Sequence, residues 1–219
     1  LRNFLCVAAL LAGLALVPAC ESDPAQPGSN SSGNTQSFLP LNTPDAVLNN
    51  IEVAWDNRVP SRIDELLDEN FFFYFAPGDV GGEIPEQWDR ATELAVTTAL
   101  LNSNTVPPVE GPVCREVRVD LFLDEVEWVP LAPPADAPGE AWQTAIVYYE
   151  CLFEMEPDFT YIAGPGAKAK LTVREIPVGN ATEWRLIEWR DLGYDFVAGA
   201  IRNAGASEST WGGIKALYQ

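Results

Sequence analysis

The sequence predicts an α+β fold: a strongly bent antiparallel sheet wrapped around three N-terminal helices, with a short C-terminal helix. Three observations predict it. Apolar residues recur at helical spacing between Thr43 and Leu101, strand-like alternation takes over from about Val117, and an unbroken aromatic run, Phe71 to Phe75, interrupts the helical part. A chain of 219 residues that is 47% hydrophobic and 11% aromatic can bury one sizeable core, whereas two would be cramped.

Arg2 precedes the apolar run Phe4 to Val17, short for a bilayer span and suited to a signal-peptide core. It ends in Leu16-Val17-Pro18-Ala19-Cys20, which resembles the lipobox of bacterial lipoproteins. That resemblance implies a signal peptide over residues 1–19, cleavage before Cys20, and diacylglycerol on the Cys20 sulfur. Two or three acyl chains, at about 0.8 kcal/mol per buried CH₂, anchor stably where one myristoyl chain does not. Residue 21 is Glu, not the aspartate that commonly retains Gram-negative lipoproteins at the inner membrane. The implied address is the bacterial cell envelope, and the periplasmic face of the outer membrane in a Gram-negative cell. Residues 20–42 then form a lipid-anchored linker. Glu21 to Ser37 has no aliphatic side chain larger than Ala, and its ends would lie about 20–25 Å apart for a flexible chain.

The domain proper is expected over 43–219. Thr43 is an N-cap, Pro44 fits the first helical position, and Val47, Leu48, Ile51, Ala54 and Trp55 share one face of a helix ending near Arg58. Ser61 is expected to cap a second helix with Ile63, Leu66 and Leu67 inward, ended by Asn70. Phe71 to Phe75 has no polar alternation, so both its faces should be covered. After the turn residues Pro77-Gly78 and Gly81-Gly82, a third helix is predicted over Pro85 to Leu101, burying Trp88, Ala91, Leu94, Ala95, Thr98 and Leu101. Asn102 to Pro112 reads as a loop.

Val117, Val119, Leu121 and Leu123 then alternate, and Val126 and Trp128 fall out of phase, predicting a bulge near Asp124-Glu125. A Pro- and Ala-rich connection leads to a long strand, Trp142 to Glu156, apolar on both faces around Ile146 to Phe153. Gly164-Pro165-Gly166-Ala167-Lys168 lacks phosphate-loop spacing and reads as a hairpin turn. Further strands are expected at 168–176 and 183–189, then an irregular stretch over 193–209 and a helix capped by Thr210.

Charge and composition narrow the chemistry. Thirteen Lys and Arg against 32 Asp and Glu give a net charge of -19, which disfavours nucleic acid and anionic headgroups as partners. The chain has no histidine, which removes Ser-His and Cys-His nucleophiles and histidine-ligated metals. Asp120, Asp124, Glu125 and Glu127 lack the glycine of a calcium loop. Neither a cofactor nor a metal is expected.

Thr43-Pro44 with its helix ending in Trp55 and Arg58, Leu66-Leu67, Phe71 to Phe75, Trp184-Arg185-Leu186-Ile187-Glu188-Trp189 and Thr210-Trp211-Gly212 together resemble bacterial lipoproteins of the nuclear-transport-factor-2-like superfamily. That superfamily also contains ketosteroid isomerases and polyketide cyclases. The resemblance spans Thr43 to Tyr218 and implies a cone with a cavity between sheet and helices, often dimeric, without implying one activity. Trp55, Phe73, Trp88 and Ile146 are the cavity-lining candidates. In an isomerase, a carboxylate base works opposite a tyrosine and a protonated carboxylic acid. Here Asp120, Glu150 and Glu154 are the candidate carboxylates, with Tyr74, Tyr148 and Tyr149 as donors. Two departures stand out: Trp55 occupies the place of an isomerase tyrosine, and the first strand carries aromatics in place of an aspartate.

Two functions are therefore carried forward. One is a membrane-anchored envelope lipoprotein with a non-catalytic binding or interaction domain, its partner a small apolar ligand, another envelope protein or a second copy. The alternative is an isomerase- or cyclase-type enzyme acting on a small apolar substrate, which requires a carboxylate aimed into an apolar cavity. With Cys6 in the signal and Cys20 lipidated, Cys114 and Cys151 remain in an oxidising compartment. A short connection between their strands would bring them opposite and permit a disulfide. Pairing that starts at Trp128 and Ala141 would leave them about 13 Å apart, out of reach.

Overall fold

A computed structural model describes residues 37–105, 112–157, 159–194, 206–208 and 210–218; the expected signal, Cys20 and most of the linker lie outside them. Helix α1 (Pro44–Asp56) starts as its sequence dictates, with the Thr43 hydroxyl accepting from the Ala46 N–H at 3.2 Å and Pro44 in the first turn. Its Val47, Leu48, Ile51, Ala54 and Trp55 are buried. Helix α2 (Pro60–Leu66) begins one residue before the expected cap: Ser61 lies inside it and Val59 precedes it without a side-chain cap, because Pro60 sets the first turn. Strand β1 (Leu67–Tyr74) follows at once, so Leu67 leaves the helix face assigned to it.

The aromatic run alternates after all. Phe71, Phe73 and Phe75 are buried, whereas Phe72 is 37% exposed and only one face of β1 is covered. The expectation of two covered faces fails because the pleat sends successive side chains to opposite sides whatever their chemistry. Trp88 belongs to a short strand β2 (Gln87–Asp89), not to a helix. Helix α3 (Arg90–Asn102) is capped by Asp89, which accepts from the Thr92 N–H at 2.9 Å. It buries Glu93, Val96, Thr97, Leu100 and Leu101, leaving Ala91, Ala95 and Thr98 exposed. The predicted stripe was rotated because the buried face carries a glutamate.

The remaining elements are β3 (Cys114–Leu121), a 3-10 turn at Leu123–Glu125 in place of the expected bulge, β4 (Val129–Leu131), β5 (Trp142–Met155), β6 (Phe159–Val178), β7 (Ala181–Tyr194), β8 (Ala206–Glu208) and α4 (Trp211–Lys215). A final 3-10 turn covers Ala216–Tyr218. Of the stretch expected to be irregular, residues 195–205 and 209 lie outside the described residues, while 206–208 form a strand. The sheet runs β2-β1-β7-β6-β5-β3, with β4 attached to β5 and β8 to β6. It is mixed and not wholly antiparallel, since β1–β7 and β6–β8 pair parallel.

Register shifts between Tyr149 and Cys151 on β5, and at Lys168/Ala169 and Thr172/Val173 on β6, bend the sheet. Gly164-Pro165-Gly166 is one of these sites and not a hairpin turn: Ala163 pairs Cys151 and Ala167 pairs Tyr149, so the extra residues bulge within β6. Gly164 sits at φ +126, and a Cβ there would lie 2.9 Å from Glu150 Cγ. The disulfide is not formed. Cys114 pairs with Met155, and Cys151 with Val119, an offset of about 16 Å along β3. Both thiols are free and buried.

Candidate functional site

The concave side of the sheet is filled. α4 carries Trp211 into it, where the indole lies 4.9 Å from Trp55, 4.6 Å from Trp189 and 5.7 Å from Tyr149, centroid to centroid. Gly212 is needed for this approach, since a Cβ would stand 2.7 Å from Phe75 Cδ1. Trp55, Phe73 and Trp88, the cavity-lining candidates, are buried; Trp55 packs against Trp211, and Phe73 against Trp88. Ile146 is not interior: Ala145 and Val147 take the inward positions of β5, leaving Ile146 44% exposed on the outer face.

Two buried acids hold α4 in place. Glu93 on α3 receives Lys215 Nζ at 2.9 Å on each carboxylate oxygen, the Trp88 indole N–H at 2.9 Å and the Thr97 hydroxyl at 3.2 Å. The Lys215 ammonium also lies 3.5 Å from the Phe73 ring centroid. Burial pushes the Lys215 pKa down, and its pairing with Glu93 opposes that. Asp191 on β7 accepts from the Tyr149 hydroxyl at 3.1 Å, the Gly193 N–H at 2.9 Å and the Gly212 N–H at 3.2 Å. Burial raises the Asp191 pKa against these donors, and raises that of Tyr149, with the Asp191 charge adding to it. Sequence reasoning missed Glu93, Asp191 and Lys215. Only Tyr149 had been singled out.

The other catalytic candidates lie elsewhere. Asp120 and Glu150 are exposed and pair directly across β3 and β5, and Glu154 shares their outward phase. Tyr148 is 37% exposed on the same outer face, and Tyr74 lies beneath Arg190, whose guanidinium carbon is 3.8 Å from the ring centroid. None of the three proposed carboxylates points into the interior. The acids that were not foreseen at the β3 edge are Glu52 and Asp56 of α1, which accept from the Leu121 and Val119 N–H groups at 3.4 and 2.8 Å. One helical turn apart, they cap the edge strand's free donors. Burial raises both pKa values, that of Glu52 to about 7. Among the described residues, no group of three or more His, Cys, Asp or Glu converges as a metal site requires.

The outer face carries a groove of ≈ 550 Å³ lined by Glu125, Glu127, Val129, Ile146, Tyr148, Lys168 and Lys170, among others. Val129 is 56% exposed, and Leu131 extends the apolar strip along β4. The glutamates lie on the β4 side of β5, and the lysines lie on β6 at its other side, where Lys170 pairs Ile146 and Lys168 pairs Tyr148.

No protein-family model and no curated protein matches this chain. Solved structures do. One is an uncharacterised protein with a cystatin-like fold from Caulobacter vibrioides, at 16% identity and TM-score 0.41, covering 68% of this chain and 86% of that one. Another is a nuclear transport factor 2-like superfamily protein from Salmonella enterica, at 9% identity and TM-score 0.40, covering 71% and 92%. ActVI-ORFA from Streptomyces coelicolor matches at 13% identity and TM-score 0.38, covering 67% and 90%. By its own element order, two helices, a short strand pair, a third helix and then the long strands of a bent mixed sheet, the chain has an α+β fold.

Proposed function

We propose that this chain is a lipid-anchored protein of the bacterial cell envelope whose folded domain is an interaction module, self-associating through the outer face of its sheet. The observation that carries this reading is the contrast between the two faces. Trp211 fills the inside, while Val129, Ile146 and Tyr148 stand exposed around the outer groove. A second copy suits that groove because acids and lysines lie on opposite sides of β5. A two-fold arrangement would turn the acidic side of one copy's groove towards the basic side of the other's. The anchor rests on the lipobox, and the linker would leave the domain room to meet a neighbour.

Native mass spectrometry of the detergent-solubilised full chain is expected to show a dimer that Ile146→Glu converts to monomer. A wild-type monomer at micromolar concentration would sink the interaction reading. Incorporation of labelled fatty acid, lost in Cys20→Ser, tests the anchor separately.

A second reading is favoured by one specific observation, the buried Asp191–Tyr149 pair. A carboxyl with a raised pKa beside a phenol is the chemistry of proton transfer at a carbonyl compound, with Asp191 moving the proton and Tyr149 donating to the oxygen. Deuterium incorporation into a small apolar ketone by the full chain, abolished in Asp191→Asn, supports it. Equal incorporation by both proteins removes it.

A further inference from the structure

A second hollow on the outer face of the sheet gathers arginines. Val173, Trp184 and Leu186 take the inward positions of β6 and β7, so Arg174 and Arg185 turn outwards, and the register sets them directly opposite each other. Like charges so placed destabilise a sheet unless partners hold them. Arg90, the first residue of α3, joins them, and the three guanidinium side chains line one hollow of ≈ 520 Å³. They are not equally satisfied. Asp68, itself buried, fills one whole edge of the Arg174 guanidinium, accepting from Nε at 2.7 Å and from Nη2 at 2.9 Å. On Arg90 and Arg185 the same edge is half filled. Nη2 donates to Asp64 in the one and to Glu183 in the other, while each Nε is buried with no acceptor among the described residues. A charged donor left in that state is costly, and two of them around one hollow mark the place of an acceptor that the chain does not supply.

We propose that this hollow binds a small zwitterion, a carboxylate with a neighbouring ammonium as in a free α-amino acid. The carboxylate answers the open edges of Arg90 and Arg185. It reaches them by displacing the oxygens of Asp64 and Glu183, side chains 54% and 32% exposed that can turn into water. The ammonium follows from the charge count. Asp64, Asp68, Glu69, Glu140 and Glu183 stand around the three guanidiniums, so a bare anion meets a surplus of acid and is rejected. Glu69 is the acid held most loosely, 84% exposed and 3.9 Å from Arg174. Glu140 accepts from Arg174 Nη1 at 3.3 Å and from the Trp142 indole at 3.0 Å through one and the same oxygen. These two carboxylates are the acceptors for the ammonium. Leu67, Ile176 and Pro177 give the hollow an apolar side that suits an aliphatic side chain. The hollow shares no lining residue with the outer groove and needs no second copy.

The probe is leucine, with N-acetylleucine as the matched anion and 3-methylbutylamine as the matched cation. Nitrogen–proton NMR of the arginine Nε–H groups in the full-length wild-type chain reads the site directly. Leucine is expected to shift the Arg90 and Arg185 signals saturably, while that of Arg174, already filled by Asp68, keeps its place. Both controls are expected to bind at least about tenfold more weakly, because each lacks one of the two charges. Calorimetric titration of Arg185→Gln is expected to show leucine binding weakened by about the same factor. No shift of either Nε signal up to the solubility limit of leucine overturns the proposal, as does undiminished affinity in Arg185→Gln. Binding of N-acetylleucine as tight as that of leucine overturns it by reducing the hollow to a plain anion site. Equal binding of 3-methylbutylamine overturns it by reducing the hollow to its acids.

Discussion

Replacing Lys215 by Met tests the interior ion pair most directly. Met keeps most of the length and apolar stem of lysine, so the change removes a charge without opening a large void. Glu93 is left buried with the Trp88 N–H and the Thr97 hydroxyl as its remaining donors. Breaking a buried pair from one side costs about 3–5 kcal/mol, because the surviving charge loses its partner and cannot regain water. Against a total stability of about 5–15 kcal/mol this is a large fraction, on the order of 6–20 °C in melting temperature for a domain of this size.

The matched double change separates the lost pair from lost packing. Glu93→Gln/Lys215→Met is expected to recover much of the deficit, because it removes both charges together. Urea unfolding of the two variants and the wild type measures both effects. A deficit below about 1 kcal/mol in Lys215→Met, or no recovery in the double variant, would refute a desolvated ion pair at this position.

Glu52 makes the stability depend on pH. Its pKa is raised to about 7, chiefly by burial against β3, so the folded state prefers the protonated form and stability falls as pH rises from about 5 to 8. Because the side chain is half-buried, screening reduces the effect to about 1 kcal/mol, which Glu52→Gln should flatten. Carbon NMR of the Glu52 carboxyl gives the midpoint, and a value below 5 contradicts the burial argument. Gly212→Ala should cost about 1–3 kcal/mol by pressing a methyl onto Phe75, read as a lower calorimetric midpoint. An unchanged midpoint would mean that α4 moves away freely.

Much of the fold was legible because its local signals agree. The Thr43-Pro44 start of α1, its inward stripe and the Thr210 cap of α4 all follow from chemistry within one helical turn, and the structure matches them. The misreadings share a physical cause. Where both parities of a strand are apolar, as in Phe71 to Phe75 and Ile146 to Phe153, alternation carries no information about which side meets the core. Phe72, Ile146 and Tyr148 accordingly turned out to face solvent. The parallel β1–β7 pairing joins segments more than a hundred residues apart, and no local pattern encodes it. The register of Cys114 and Cys151 was open for the same reason.

The candidate site was less legible than the fold, and α3 shows why. Its buried face contains Glu93, and a glutamate in a helix reads as a solvent contact unless a partner for its charge is known. That partner is Lys215, 122 residues away. Asp191 likewise looks like one more acid in a chain of net charge -19 until the Gly212 N–H of α4 is seen to meet it. Each buried acid is tolerable only with the C-terminal segment in place, because an empty interior would strand two charges in low dielectric. The same dependence runs the other way: Trp211 and Lys215 carry a ring and a cation that the sheet and helices alone provide for. Interior and insert are thus specified jointly.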